Sequence, residues 1–373
     1  MIYLDNSSTT RPHPLAVKAT LLALEENFGN PSSLHRLGLQ AEKMVKEARQ
    51  EVARLINATP EEIVFTSGGT ESNHLALRSV IENSTDKHLI TSVVEHPSVM
   101  AVFEEFAKRG YKVTYLPVDH KGQVDIQTLK ECLGKDTALV SIMAVNNELG
   151  TIEPLAEISE LLKAYPKTYF HVDAVQAVGK LSLDLDRIDL LSLSAHKIQG
   201  PKGIGALYVK KNRNFISIMP GGGQERGYRG GTENVPGIAG FGAAAEVAKK
   251  RLKEIGKLKE KKGELAKYVQ QLISDCIINS PEDIPTVLSV SFPKIKGEVL
   301  VHALEDEEIY VSTGSACSQK KNSHPVLSAI GVPKTLQEGT IRFSFGWENE
   351  TVDSFWVAKT VAEKVKELQS LWG

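Results

Sequence analysis

From Glu61 the chain repeats one unit: a short β-branched apolar run, a turn, then a stretch of helical periodicity. EEIVFTSGGTESNHLALRSVI and KHLITSVVEHPSVMAVFEEFAKRG are the first two copies, and YKVTYLPVD, TALVSIMAVNNELG, TYFHVDAVQAVG and IDLLSLSAHKI carry the strands onward to GIGALYVK. Helices of about 10 to 15 residues between strands are crossovers, and crossovers make neighbouring strands parallel. The unit therefore predicts an α/β fold built on a mostly parallel sheet. The connection SAHKIQGPKGIG is too short for a crossover and predicts a local antiparallel hairpin.

The flanks read differently. Leu15 to about Phe28 and Leu34 to about Ile56 have helical spacing, broken by GNPSS at 29–33. Pro236 to about Ser274 is helical and leads away from the sheet. TVLSVSFP, EEIYVST and TIRFSFG are strand-like, with VLVHALED as a helix between them. A last helix from Thr351 to Leu371 places Val352, Phe355, Trp356, Val361, Val365 and Leu368 on its apolar face. With 373 residues, two domains are expected: a large α/β domain over 15–250, and a smaller α+β domain of 1–14 plus 251–373.

Composition narrows the function. Forty-four basic against 46 acidic residues give a net charge of −2, which implies no broad basic surface and no direct nucleic-acid partner. No run approaches the roughly 18 apolar residues of a membrane span, and MIYLDNSSTT lacks the basic and apolar regions of a signal peptide. Three scattered cysteines, Cys132, Cys276 and Cys317, point to a reducing, cytoplasmic setting and offer no C-x-x-C metal pair.

Ligands of such sheets sit beyond the carboxyl ends of the strands. Polar residues collect there: Gly68, Gly69 and Thr70 in TSGGTESN, His96 in EHPS, Asn146 and Asn147 in NNELG, Asp173 and Gln176 in HVDAVQ, His196 and Lys197 in SAHK. The glycine turn before a helix can cradle an anion, though alone it is equally a plain turn and N-cap; it is neither a P-loop nor a dinucleotide fingerprint. Lys197 ends an apolar run and could form a Schiff base, or simply leave the strand at the surface. Asp173 could pair with a protonated pyridine nitrogen, or cap a helix over AVQAVG. His96 could stack on a ring, or cap the next helix. His171 shares the strand face of Asp173 without an assigned role. Together these are the parts of a pyridoxal 5′-phosphate site. In GTIRFSF, alternation sets Arg342 opposite Ile341 and Phe343, where it could take a carboxylate in a cleft or sit on an exposed sheet face. GGGQERGYRGGTENVP is too glycine-rich for core and could line a site or reach across a dimer. VSTGSACSQKKNSHP surrounds Cys317 with small polar residues, with Lys320 and Lys321 close behind.

YLDNSSTT, NFGNPSSLH, FTSGGTESNHLA, EHPSV, VNNELGTIEP, HVDAVQAVGK, SLSAHKIQGPKGIGALYV, RGGTEN, STGSACS and IRFSFG occur in order from residue 3 to 346. In these the chain resembles the cysteine desulfurases of the NifS/IscS type, class V aminotransferase relatives among the fold-type I pyridoxal phosphate enzymes. The resemblance implies that Lys197 holds the cofactor as a Schiff base and moves protons. It implies that His96 stacks on the ring and acts in acid–base steps, that Asp173 pairs with the ring nitrogen and that Gln176 meets the ring hydroxyl. Gly69, Thr70, Ser194 and His196 would serve the phosphate, with Thr232 arriving from the other subunit of a homodimer. Asn147 and Arg342 would bind the carboxylate of L-cysteine. Cys317 would accept the sulfur as a persulfide, on the longer, mobile type of cysteine loop, and pass it to an iron–sulfur scaffold or to a tRNA-thiolation or thiamine-synthesis sulfur acceptor. A related class V enzyme, such as a selenocysteine lyase or an aminotransferase, is the alternative. SAHK stands where many members read SGHK, and the chain stops soon after its last helix, without the longer tail some members use on a scaffold.

Overall fold

A computed structural model describes residues 1–282, 285–314 and 324–372, the side chain of Trp372 excepted. The chain begins with a short strand, β1 (Ile2–Tyr3), and two helices, α1 (Pro14–Glu25) and α2 (Arg36–Leu55). His13 and His35 cap these helices, each accepting a backbone N–H on Nδ1. Strand and helix then alternate: β2 (Ile63–Thr66), α3 (Gly69–Asn83), β3 (His88–Ser92), α4 (Pro97–Lys108), β4 (Lys112–Leu116), α5 (Ile126–Cys132), β5 (Thr137–Met143), α6 (Leu155–Leu162) and β6 (Tyr169–Asp173). Next come β7 (Leu190–Ser194) and β8 (Gly205–Val209), then α7 (Val235–Arg251) and α8 (Gly256–Leu272). The last part holds β9 (Ile277–Ile278), β10 (Val287–Ser291), α9 (Gly297–Glu305), β11 (Ile309–Tyr310), α10 (Pro325–Ala329), α11 (Lys334–Gln337), β12 (Thr340–Ser344) and α12 (Ser354–Trp372).

Seven strands form the main sheet in the order β2-β8-β7-β6-β5-β3-β4. β3, β4, β5, β6 and β7 pair in parallel, and β8 alone runs against both β7 and β2. The hairpin expected at SAHKIQGPKGIG is this β7–β8 pair, in register from Leu190↔Val209 to Ser194↔Gly205. The central strands are buried on both faces, so their sequences read as continuous apolar runs rather than as alternation. One face packs Phe170, Val172, Leu191 and Leu193 into a core with Ala and Val side chains of α2 and α7. The other packs Leu89 and Leu139 against Leu75, Val80, Phe103 and Phe106 of α3 and α4.

A second core surrounds the antiparallel sheet β12-β10-β9. Leu4 belongs to it, because β1 pairs in parallel with β11 and Asp5 bridges to Ser344. Within α12 the buried face is Val357, Ala358, Val361 and Val365. The sequence reading put Phe355 and Trp356 on that face, but they are 50% and 41% exposed. Phe355 instead lays its ring edge-to-face on Tyr268, 5.4 Å away.

The glycine-rich segment after β8 is fastened to the sheet through Glu225. Glu225 lies between Arg49 and the backbone of β2: both its oxygens accept from Arg49 at 2.7 Å, and Oε2 also takes the Phe65 N–H at 2.9 Å. Arg49 donates to the Ile63 carbonyl and covers the Phe65 ring at 4.6 Å. Glu225 and Arg226 hold φ values of 47° and 57°, a left-handed strain that this clamp sustains.

Candidate active site

Every strand of the main sheet except β8 runs toward the same edge, and the five loops singled out in the sequence leave from it. At the end of β2, Gly68 has φ 154°, a conformation that favours glycine, and a Cβ on Gly69 would sit 2.7 Å from Val175 Cγ2. α3 begins at once, so its first-turn N–H groups have no intrahelical acceptor and face an incoming anion. Thr66 and Ser72 lock the turn through their hydroxyls at 2.7 Å. Glu71 takes the Ser67 N–H at 2.8 Å and pairs with Arg229 at 2.8 Å.

Asp173 ends β6 and is 5% exposed. Its Oδ1 accepts the Val175 N–H at 3.0 Å, and its Oδ2 accepts from Asn73 Nδ2 at 2.8 Å. The helix expected over AVQAVG is a run of turns, so Asp173 caps a turn. Asn73 Nδ2 also reaches Ser98 Oγ at 2.9 Å, and Ser98 Oγ lies 2.8 Å from His96 Nδ1. His96 caps α4 as well as lining the site: its Nδ1 accepts the Ser98 N–H at 3.2 Å, which leaves the ring proton on Nε2. Burial lowers the pKa of His96, against the pull of Asp173, so the imidazole is neutral at neutral pH. His171 is fully buried between Ser141 Oγ at 2.8 Å and Ser192 Oγ at 3.0 Å. Burial holds its pKa down to about 4, and it serves the sheet interior.

Lys197 lies in the tight turn after β7. Its Nζ donates to the carbonyls of Ser7 and, at 2.8 Å, Ser8. Burial first, then the Arg342 cation, pushes its pKa down to about 8, while Asp5 and Asp173 oppose the fall. His196 faces Thr9 Oγ1 at 3.1 Å, and its pKa falls to about 4 through burial and the neighbouring lysines. Gln176 donates from Nε2 to the Ser7 carbonyl at 2.9 Å.

Arg342 is 2% exposed, so it is no surface arginine of a sheet face. It donates to the Asn147 carbonyl at 2.9 Å, to Asp5 Oδ1 at 2.8 Å and to Ser8 Oγ at 2.8 Å. Its Nε is buried without a partner, as is Ser7 Oγ.

These residues share one cavity of about 290 Å³, lined by Gly69, Thr70, His96, Asn147, Asp173, Gln176, Ser194, His196, Lys197 and Arg342 together with Ser7, Ser8, Asn73 and Gly314. The donor set suits a phosphorylated pyridine aldehyde. An open helix start, two hydroxyls and an imidazole could hold a phosphate, Asp173 a ring nitrogen, His96 a ring face and Lys197 a carbonyl carbon. Among the described residues no cluster of His, Cys, Asp and Glu is placed to hold a metal, and no helix is long and apolar enough to cross a membrane.

Thr232 is not brought to this cavity; it is exposed, in the segment between Glu225 and α7. Cys317, Lys320 and Lys321 lie outside the described residues. Sequence reasoning missed Asp5, Ser7 and Ser8, and also Asn73. DNSS was visible as a polar run before the first helix, and Asn73 follows the glycine turn by one helical turn. Neither position carries a local sign of its long-range partner.

Residues 2–354 match the family model described as Aminotransferase class-V. A curated relative, cysteine desulfurase IscS of Dictyoglomus turgidum, is 43% identical over 379 residues, covering 99% of this chain and 96% of the relative. A solved NifS-like protein superposes with a TM-score of 0.89 at 36% identity, covering 99% of this chain and 98% of the other. A structure described as SspA in complex with cysteine gives 0.80 at 33% identity, covering 92% of this chain and 99% of the other. The chain belongs to the cysteine desulfurases of the class-V aminotransferase family.

Proposed function

We propose that this protein takes sulfur from L-cysteine, leaves L-alanine, and carries the sulfur as a persulfide on Cys317 to an acceptor protein, with iron–sulfur cluster assembly as the foremost route and tRNA thiolation or thiamine synthesis as others. The observation that carries the reading is the convergence of Lys197, Asp173, His96 and Arg342 on one cavity whose wall also includes Gly314, three positions before Cys317 in the chain. Three residues can span at most roughly 10 Å, so chain length alone allows the thiol to meet the cavity.

Pyridoxal 5′-phosphate, when bound, supplies the electron sink that makes the substrate's α-carbon acidic. The phosphate would be held by the start of α3 with Gly69 and Thr70, by Ser194 and His196, and by Thr232 of a second subunit. Asp173 would keep the ring nitrogen protonated, Gln176 would meet the ring hydroxyl, and His96 would cover one face. Arg342 and Asn147 would orient the substrate carboxylate, with the Arg342 guanidinium already half engaged by Asp5 and Ser8. Lys197, with its pKa near 8, can release its proton and take one from the α-carbon close to neutral pH. His96, neutral with a proton on Nε2, can act as a donor toward the substrate. The Cys317 thiolate then attacks the substrate sulfur. The S–S bond forms as the Cβ–S bond breaks, and a proton delivered to Cβ completes alanine.

The same reading makes the protein a homodimer. Leu15, Leu21, Leu24, Phe28, Leu34 and Leu39 of α1, α2 and their connection are 47% to 95% exposed, an apolar surface suited to a second copy. It also divides the chain into the large unit 15–250 and the small unit 1–14 plus 251–373. The test is a turnover assay with persulfide trapping. Wild type should form alanine from L-cysteine without a keto acid, with the trapped sulfur on Cys317. Cys317→Ser should keep cofactor absorption and lose sulfur transfer, and Lys197→Ala should lose covalent cofactor attachment. Sulfur transfer at the wild-type rate by Cys317→Ser overturns the role of the thiol, and a requirement for a keto acid favours an aminotransferase.

A further inference from the structure

We propose that Lys180 is a positioning residue of this site: it fixes the side-chain amide of Gln176 so that Nε2, and not Oε1, is turned to Ser7 and the cavity. The inference rests on the reading of the cavity as a pyridoxal phosphate site. Lys180 stands one turn beyond Gln176 and donates from Nζ to Gln176 Oε1 at 3.1 Å. On its other end the amide donates from Nε2 to the Ser7 carbonyl at 2.9 Å, the oxygen that also accepts from Lys197 Nζ. The four groups form one ordered chain, from Lys180 through Gln176 to Ser7 and Lys197.

The chain has a single sense. An ammonium donates and cannot accept. A flipped amide would set N–H against N–H at Lys180 and oxygen against oxygen at Ser7. Gln176 is only 6% exposed, so bulk water offers little relief for either mismatch. The consequence reaches the cavity, because Gln176 lines it while Lys180 does not. Lys180 stands behind, on a separate space of about 20 Å³ that it shares with Lys197.

Nothing in the packing rewards this lysine as a charge. Its hydrogen-bond partner is a neutral amide, and the charges that bear on it, Lys197 and Arg342, are both cations. Burial and those cations push its pKa down to about 7, so the ammonium, the form that accepts nothing, prevails below that pH. A half-buried cation facing cations costs stability, and a methionine of similar length would pack there without that cost. What a methionine lacks is a donor that accepts nothing.

The experiment uses apoprotein and measures binding of pyridoxal 5′-phosphate by equilibrium dialysis, beside thermal unfolding, both at pH 6, where Lys180 carries its proton. Lys180→Met should melt no lower than wild type and yet bind the cofactor about tenfold more weakly, the worth of one hydrogen bond to a charged group. Lys180→Gln, which can accept as well as donate, leaves both amide orientations open and should show the same loss. Lys180→Arg should restore most of the affinity. In a Gln176→Leu background, Lys180→Met should cost nothing further. Wild-type affinity in Lys180→Met and Lys180→Gln, or an equal loss with and without Gln176, overturns the proposal. Failure of the wild-type apoprotein to bind the cofactor overturns the cavity reading and this inference together.

Discussion

Arg49 and Arg342 each face a carboxylate, and they are held in opposite ways. Arg49 and Glu225 are 13% and 3% exposed, and both oxygens of the carboxylate are taken by the guanidinium, with the Phe65 N–H added. Arg342 is buried more deeply, but its partner Asp5 is 21% exposed and accepts from it through one oxygen. The remaining Arg342 contacts are a carbonyl and a hydroxyl, and Nε has none. A closed pair is scaffold, because opening it strands two charges in a dry interior. A pair held by one oxygen at a cavity wall can exchange that oxygen for a ligand's carboxylate at little cost.

The largest test of this contrast is Glu225→Gln. It leaves the Arg49 charge buried without an anion, and unfolding free energy should fall by about 3–5 kcal/mol in urea titration. A loss below about 1 kcal/mol would show that the clamp is not a structural pair. Arg342→Met should do the reverse. The unfolding midpoint should hold, while kcat/KM for L-cysteine falls on the order of a hundredfold, mainly through KM. An unchanged KM would remove Arg342 from substrate binding.

Glu153 sharpens the comparison as a buried carboxylate with no cation. Its Oε2 accepts the Val124 N–H at 2.9 Å, its Oε1 has no partner, and burial, with the nearby Asp119, raises its pKa to about 8. The protonated form is favoured in the fold, so its burial cost is absent below the unfolded value near 4.5 and grows as pH rises toward 8. Glu153→Gln should leave stability unchanged at pH 4.5 and add on the order of 2 kcal/mol at pH 9. Equal effects at both values would exclude titration of this group. The smallest effect is that of Asp5→Asn. Asp5 favours the charged form of Lys197, so removing it should carry the Lys197 midpoint below about 8. Competitive acylation of the apoprotein across pH, read by mass spectrometry, measures this. A midpoint that moves upward contradicts the assigned geometry.

The parts of the molecule that were legible in sequence are those with local causes. Strand-and-turn repeats disclosed the parallel sheet, and the short SAHKIQGPKGIG connection disclosed the one reversed strand. The strand ends disclosed His96, Asp173, Gln176 and Lys197, because in a parallel sheet those ends share an edge. Alternation in TIRFSF disclosed which way Arg342 points. The partners that complete the site stayed hidden, since Asp5 and Ser8 lie 337 and 334 residues from Arg342 and Ser7 lies 190 from Lys197. Lys180 stayed hidden for another reason: HVDAVQAVGK reads as one more solvated lysine until the fold turns it onto Gln176. Phe355 and Trp356 misled because helical spacing alone cannot say which neighbour an aromatic ring will choose.

The placement of residues 4–8 has a consequence for how the protein is made. They leave the ribosome long before their partners, which are the turn at Lys197 and the strand of Arg342, with Ser344 receiving Asp5 and Asn6. The main sheet can form as soon as β8 has emerged, but the carbonyls that hold the Lys197 amine and the carboxylate that meets Arg342 must wait for nearly the whole chain. Synthesis therefore yields a folded sheet before it yields a working pocket, and a nascent chain cut short ahead of β12 would carry the lysine without the arginine.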